Sequence, residues 1–146
     1  MRIHTSSRQY LRAAETLAKN GWEDPTGPIL FLIGQSIELS LKAFLRGSDF
    51  SEPQLRGLSH DLDASLDWAI KEGLSVYIQL SDDDIKLISL VNESYKSKDL
   101  QYITLGLKDR PALAPVLELA QRLNQQIKSF CLENINLHSG AKTEFK

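Results

Sequence analysis

Between Pro28 and Gly47 the chain carries Ile29, Leu30, Phe31, Leu32, Ile33, Ile37, Leu39, Leu41, Phe44 and Leu45. On a helix of about 3.6 residues per turn these positions cover most of the circumference. A helix that is apolar nearly all round has to be enclosed by several neighbours, so the segment predicts a bundle with this helix at its centre. The run Ile29–Ile33 alone would suit a buried strand. The apolar pattern continues at helical spacing for about three further turns, which excludes that reading. Pro28 fits a first helical position because it has no N–H to lose. Gly47 is expected to close the helix in the left-handed conformation.

The other segments are also helical in period. Ser6 and Gln9 form an S-x-x-Q pattern that predicts a capping box opening a first helix, with Tyr10, Leu11, Ala14, Leu17 and Ala18 on one face. The stretch 22–27 reads as a loop, and residues 47–59 as a polar loop. A third helix is expected from about Ser59 to Glu72, with Leu62, Leu66, Ala69 and Ile70 inward and Gly73 ending it. A fourth follows Ser81 with Ile85, Ile88, Val91 and Tyr95. After a long loop from Ser97 to Asp109, a fifth places Leu113, Val116, Ala120, Leu123, Ile127 and Phe130 three and four apart. That is a bundle stripe, too short for a coiled coil. The expected architecture is all-α: an up-and-down-like bundle of about five helices over residues 1–133, followed by a flexible tail, 134–146.

Composition narrows the function classes. The 146 residues hold 17 Lys+Arg and 19 Asp+Glu, a net charge of −2, so no global charge drives binding to nucleic acid or anionic lipid. No apolar window of about 20 residues is expected to span a membrane, and Met1–Ser6 has no apolar core of a secretory signal. A soluble, cytoplasmic chain is expected. The single Cys131 excludes an internal disulfide and a multi-cysteine zinc site, and reads as a packing residue. Charge is nevertheless uneven. Residues 1–20 carry Arg2, Arg8, Arg12 and Lys19 against Glu15, while 49–67 carry five carboxylates against Arg56. Such asymmetry either steers a partner or pairs within the protein.

Two stretches carry a resemblance. Gly34-Gln35-Ser36-Ile37-Glu38-Leu39-Ser40-Leu41-Lys42-Ala43-Phe44-Leu45 contains Glu-Leu-x-x-Lys on an apolar helix, and Leu58-Ser59-His60-Asp61-Leu62 follows an acidic loop. The pattern resembles the HEPN domain superfamily of bacteria and archaea, over roughly residues 6–130. Tyr95 and Tyr102 fall where relatives carry tyrosines, although Gln101-Tyr102-Ile103 stands in place of their Arg-Tyr-Pro. The resemblance implies a four- or five-helix bundle that commonly dimerises. Its families include partners of nucleotidyltransferases in toxin–antitoxin pairs, ribonucleases of defence systems, and nucleotide-binding members. The nucleolytic branch is marked by Arg, four to six residues, then His. Here Arg56 and His60 have three residues between them, and His4 and His138 have no Arg at that distance, which argues against ribonuclease activity.

Individual residues admit two readings each. Glu38 and Lys42 sit i, i+4 on the most apolar helix, either as an internal pair or as an anion site in which Glu38 fixes Lys42. His60 and Asp61 open a helix. His60 is either a general base or ligand contact, or a bond to a neighbouring helix, while Asp61 serves as cap. Gly34 is expected to permit close helix approach. Ser36 is no nucleophile, because it sits within a helix rather than at a strand-to-helix elbow. Asp82, Asp83 and Asp84 complement a helix N-terminus rather than hold a metal, and no metal or cofactor is expected. Trp68 is expected to be partly buried, and Trp22 is a partner anchor or a lid.

The expectation is therefore a non-catalytic, homodimeric binding or regulatory module that pairs with a nucleotidyltransferase-type protein or binds nucleotide or RNA. Its ligand candidates are Glu38, Lys42, His60, Asp61, Tyr95 and Tyr102. The alternatives are a metal-independent ribonuclease using His60 with Arg56 or Lys42, and a purely structural dimerisation module.

Overall fold

Helix α2 (Gly27–Gly47) is the axis around which the other elements pack, as its all-round apolar surface demands. The computed structural model describes residues 2–20, 27–95 and 113–144. Along them run α1 (Arg2–Lys19), α2, α3 (Glu52–Gly57), α4 (Leu62–Lys71), a 3-10 turn (Leu74–Val76), α5 (Asp82–Tyr95) and α6 (Leu113–Glu144). The described residues contain no strand, so the chain is an all-α bundle. Ile29, Ile33, Ile37, Leu41 and Leu45 of α2 are fully buried against Leu11 and Ala14 of α1 and Val116, Leu119, Leu123 and Ile127 of α6. The stripe on α6 is thus bundle core. Helix α6 continues in helical geometry to Glu144, beyond Asn134, where the sequence suggests the start of a tail.

Several local expectations are corrected. Helix α1 begins at Arg2, so Ser6 lies inside it and caps nothing. Tertiary contacts extend the helix upstream: Ile3 packs on the core, and buried His4 donates from Nε2 to the Asn124 carbonyl at 3.0 Å. The capping box stands instead at Ser51 and Gln54, within the stretch read as a loop. There Ser51 Oγ accepts from the Gln54 N–H, Gln54 Oε1 accepts from the Ser51 N–H, and Pro53 occupies the first turn of α3. Helix α2 closes on Asp49 (φ +72°) rather than on Gly47. The Phe50 N–H reaches the Leu45 carbonyl and the Asp49 N–H the Arg46 carbonyl, a Schellman closure with aspartate in the left-handed position.

Helix α4 starts after Asp61 because Ser59 turns through φ +52° and breaks the helical path. On this short helix Leu62, Leu66 and Ala69 face the core while Ile70 points outward. Trp68 is 43% exposed, packed edge-on to Phe50 with the Lys71 ammonium 4.7 Å from its ring centre.

Pro28–Gly47 has mean hydropathy 1.4 and is long and apolar enough to cross a membrane, contrary to the sequence expectation. Two-thirds of that window is buried inside the bundle, so core packing accounts for its composition.

Candidate functional site

Gly34, Glu38 and Lys42 lie four residues apart and form one stripe along α2. The Tyr95 ring of α5 lies directly over Gly34: a Cβ on Gly34 would sit 2.4 Å from Tyr95 Cδ1. The missing side chain lets the ring settle against the helix backbone, beside Phe31 at 6.0 Å between ring centres. One turn further along, the Tyr95 hydroxyl donates to Glu38 Oε2. The sequence suggests close helix approach at Gly34; the group that occupies the space is the Tyr95 ring, not the backbone of a neighbouring helix.

Glu38 is the hub of the cluster. Its side chain is 4% exposed, and a carboxylate so placed must be paired. Lys42 Nζ donates to Oε1 at 2.7 Å, and His60 Nδ1 lies 3.1 and 3.2 Å from the two oxygens. With Tyr95, three side chains from α2, the α3–α4 turn and α5 converge on one carboxylate. Lys42 also donates to the Ser59 carbonyl at 2.6 Å, which ties the left-handed turn back to α2. Burial pushes the Tyr95 phenol pKa far above its ordinary value of 10.0. The hydrogen bond to Glu38 and the Glu38 charge act in the same direction. Tyr95 is therefore a fixed donor and not an acid–base group at physiological pH.

His60 is the outward edge of this cluster, with its side chain 48% exposed. For Nδ1 to donate to Glu38 it must carry the ring proton, which in the neutral ring leaves Nε2 as the acceptor. The ring stands perpendicular to Tyr95, with centres 6.2 Å apart. A carboxylate behind Nδ1 with Nε2 unprotonated is the arrangement that orients a histidine for proton transfer or for a ligand hydrogen bond.

The remaining candidates separate. Asp61 is the N-cap of α4: its Oδ1 accepts from the Ala64 N–H at 3.2 Å and from Asn92 Nδ2 at 3.0 Å. Arg56 stands out in solvent, 82% exposed, 3.7 Å from Glu52 on its own short helix. Together with Lys42, Leu39, Leu55 and Ile3 these two line a cavity of about 270 Å³. Tyr102 and Trp22 lie outside the described residues. Among the described residues no three His, Cys, Asp or Glu side chains converge as metal ligands would. Asp84 serves its helix N-terminus. Burial raises its pKa, but hydrogen bonds from Arg122 and Ser81 and the Arg122 charge outweigh burial and hold it below the usual value.

Two buried polar groups escaped the sequence reading. Asn92 is 1% exposed and clamps α4 to α5: its Oδ1 accepts from the Leu62 N–H at 2.8 Å, and its Nδ2 donates to Asp61 and Asp63. The signal was there, since Asn92 stands in phase with Ile88, Val91 and Tyr95 on the inward face. The second is a hydroxyl seam. Ser7 Oγ donates to the Ser36 carbonyl at 2.8 Å and accepts from Ser40 Oγ at 2.6 Å and Asn124 Nδ2 at 3.0 Å, which joins α1, α2 and α6. No family model, curated protein or solved structure matches the chain.

Proposed function

We propose that the chain is a non-catalytic binding and regulatory module of HEPN-like type, acting as a homodimer. Its setting is pairing with a nucleotidyltransferase-type protein or recognition of a nucleotide or RNA. The observation that carries this reading is the saturation of Glu38. Lys42 and Tyr95, the groups that would have to meet a substrate in an enzyme, are both turned inward onto that carboxylate. Lys42 is engaged a second time by the Ser59 carbonyl. Arg56, the remaining cation an RNA-cleaving centre would need, stands on Glu52 in solvent. What the cluster leaves most exposed is the edge of His60, an imidazole held on Glu38 and suited to a hydrogen bond with a partner or ligand. Incubation with single-stranded and structured RNAs without metal, alongside His60→Ala, tests this. Intact RNA with both folded proteins is expected. Cleavage by the wild type that His60→Ala abolishes would overturn the reading.

One observation favours a second reading, a divergent metal-independent ribonuclease. Glu38 lies behind His60 Nδ1 at 3.1 Å, as in carboxylate–histidine pairs that serve as general bases. The same assay decides between the two. Light scattering tests the dimer, and a strictly monomeric chain would remove that element of the proposal.

A further inference from the structure

A second surface, which shares no residue with the Glu38 cluster, carries cations that form no ion pair among the described residues. Arg8 and Arg12 lie four residues apart on α1 and face Gln125, Lys128 and Ser129 of α6 across a groove of about 430 Å³ that ends at Leu132. Among the described residues, the groove lining contains three cations and no carboxylate. Among the described residues none of the three cations lies within ion-pair distance of an acid, although Glu15 follows Arg12 by three positions. Like charges four apart on a helix are mildly destabilising, so folding alone gives no reason for Arg8 and Arg12 to share a face. Arg122 of α6 shows the contrast, since it is paired with Asp84 at 2.7 Å.

We infer that this α1–α6 groove binds phosphate groups, supplied by a nucleic-acid strand or by a polyphosphate. Arginine presents a planar fork of donors that matches two phosphate oxygens at once, and lysine adds a point charge. Arg8 and Arg12 are separated by about 6 Å along the helix axis, so they address successive anionic groups rather than a single one. Gln125 and Ser129 add neutral donors on the facing helix. Leu132, 52% exposed at the end of the groove, offers an apolar surface beside the charges, as a ligand with both phosphate and ring faces would use. This site goes beyond the proposal for His60 and does not depend on it.

The test is fluorescence anisotropy with a short labelled single-stranded RNA across a salt series. It compares wild type, the triple variant Arg8→Gln/Arg12→Gln/Lys128→Gln and the control Lys71→Gln/Lys86→Gln. Inorganic tripolyphosphate serves as competitor and, by calorimetry, as a ligand on its own. Wild type is expected to bind with a slope of log affinity against log salt of about −2, as for three phosphate contacts on a single strand. The triple variant should lose roughly tenfold or more in affinity and flatten that slope, while the control stays within about twofold. Tripolyphosphate binding that the triple variant loses, with no RNA binding, would support the phosphate site and identify a free polyphosphate as its source. Equal affinity of wild type and a folded triple variant would overturn the inference. So would failure of both probes to bind at low salt.

Discussion

The Glu38 cluster and the α1–α6 groove hold similar numbers of charged side chains and treat them in opposite ways. In the cluster a buried carboxylate is ringed by Lys42, His60 and Tyr95, and the donors come from three separate elements. In the groove Arg8, Arg12 and Lys128 line a surface cleft with no acid among its described residues. Charge that is paired inside a fold fixes the relation between helices. Charge left unpaired at its surface does little for the fold and is available to a partner. Stability measurements should therefore separate the two regions before any ligand is known.

The largest effect is expected at the hub. Glu38→Gln keeps the shape and an acceptor for Tyr95 but leaves Lys42, 14% exposed, without its counter-charge. A loss of about 3 kcal/mol in urea unfolding is expected, near the low end for breaking a buried pair. A loss below about 0.5 kcal/mol would place the cluster with ordinary surface pairs.

Tyr95→Phe removes one hydrogen bond to a charged acceptor and should cost about 2 kcal/mol at neutral pH. The sign of its pH dependence follows from the raised phenol pKa. A group whose folded pKa lies above its unfolded value of 10.0 stabilises fully below that value and loses the contribution as pH rises past it. The difference in unfolding free energy between wild type and Tyr95→Phe should thus be constant from pH 7 to about 9 and shrink above about 10. A difference that grows in alkali would contradict the assignment of Tyr95 as donor.

Gly34→Ala sets helix propensity against space. Alanine favours the helix by about 1 kcal/mol, whereas its Cβ would meet the Tyr95 ring at 2.4 Å, and overpacking costs about 1–3 kcal/mol. A net destabilisation of about 1 kcal/mol is expected. Stabilisation would mean that the ring moves away without cost. The smallest effect belongs to the groove: Arg8→Gln/Arg12→Gln/Lys128→Gln should change stability by about 0.5 kcal/mol or less, as surface substitutions do. A larger loss would show that these cations hold α1 to α6.

How far the sequence foretells this molecule depends on the kind of interaction. The central helix was legible because an all-round apolar surface has one structural solution, burial by neighbours. The Glu38–Lys42 pair was legible for the related reason that charges on such a helix have to find partners. The position of His60 beside a helix start was readable, but its bond to Glu38 spans 22 residues, and local spacing does not specify which of two reachable partners a side chain takes. Helix boundaries failed where tertiary contacts overrode local signals. Ser6 had the capping pattern, yet Ile3 and His4 found partners on the core and α6, and the helix grew past it. The seam of Ser7, Ser36, Ser40 and Asn124 was invisible for a simpler reason: small hydroxyl residues fit helix interiors whether or not they meet.

A double-mutant cycle between Glu38 and Lys42 tests the central claim most directly. Unfolding free energies of Glu38→Gln, Lys42→Met and the combined variant isolate the interaction of the two charges from everything else each side chain touches. If the cluster holds the bundle together, each single change strands a charge and the combined change strands none. The double variant should then be less damaged than the two singles together, by about 2 kcal/mol. Additive losses within about 0.3 kcal/mol would contradict that claim and leave Glu38 and Lys42 available for a role outside the fold.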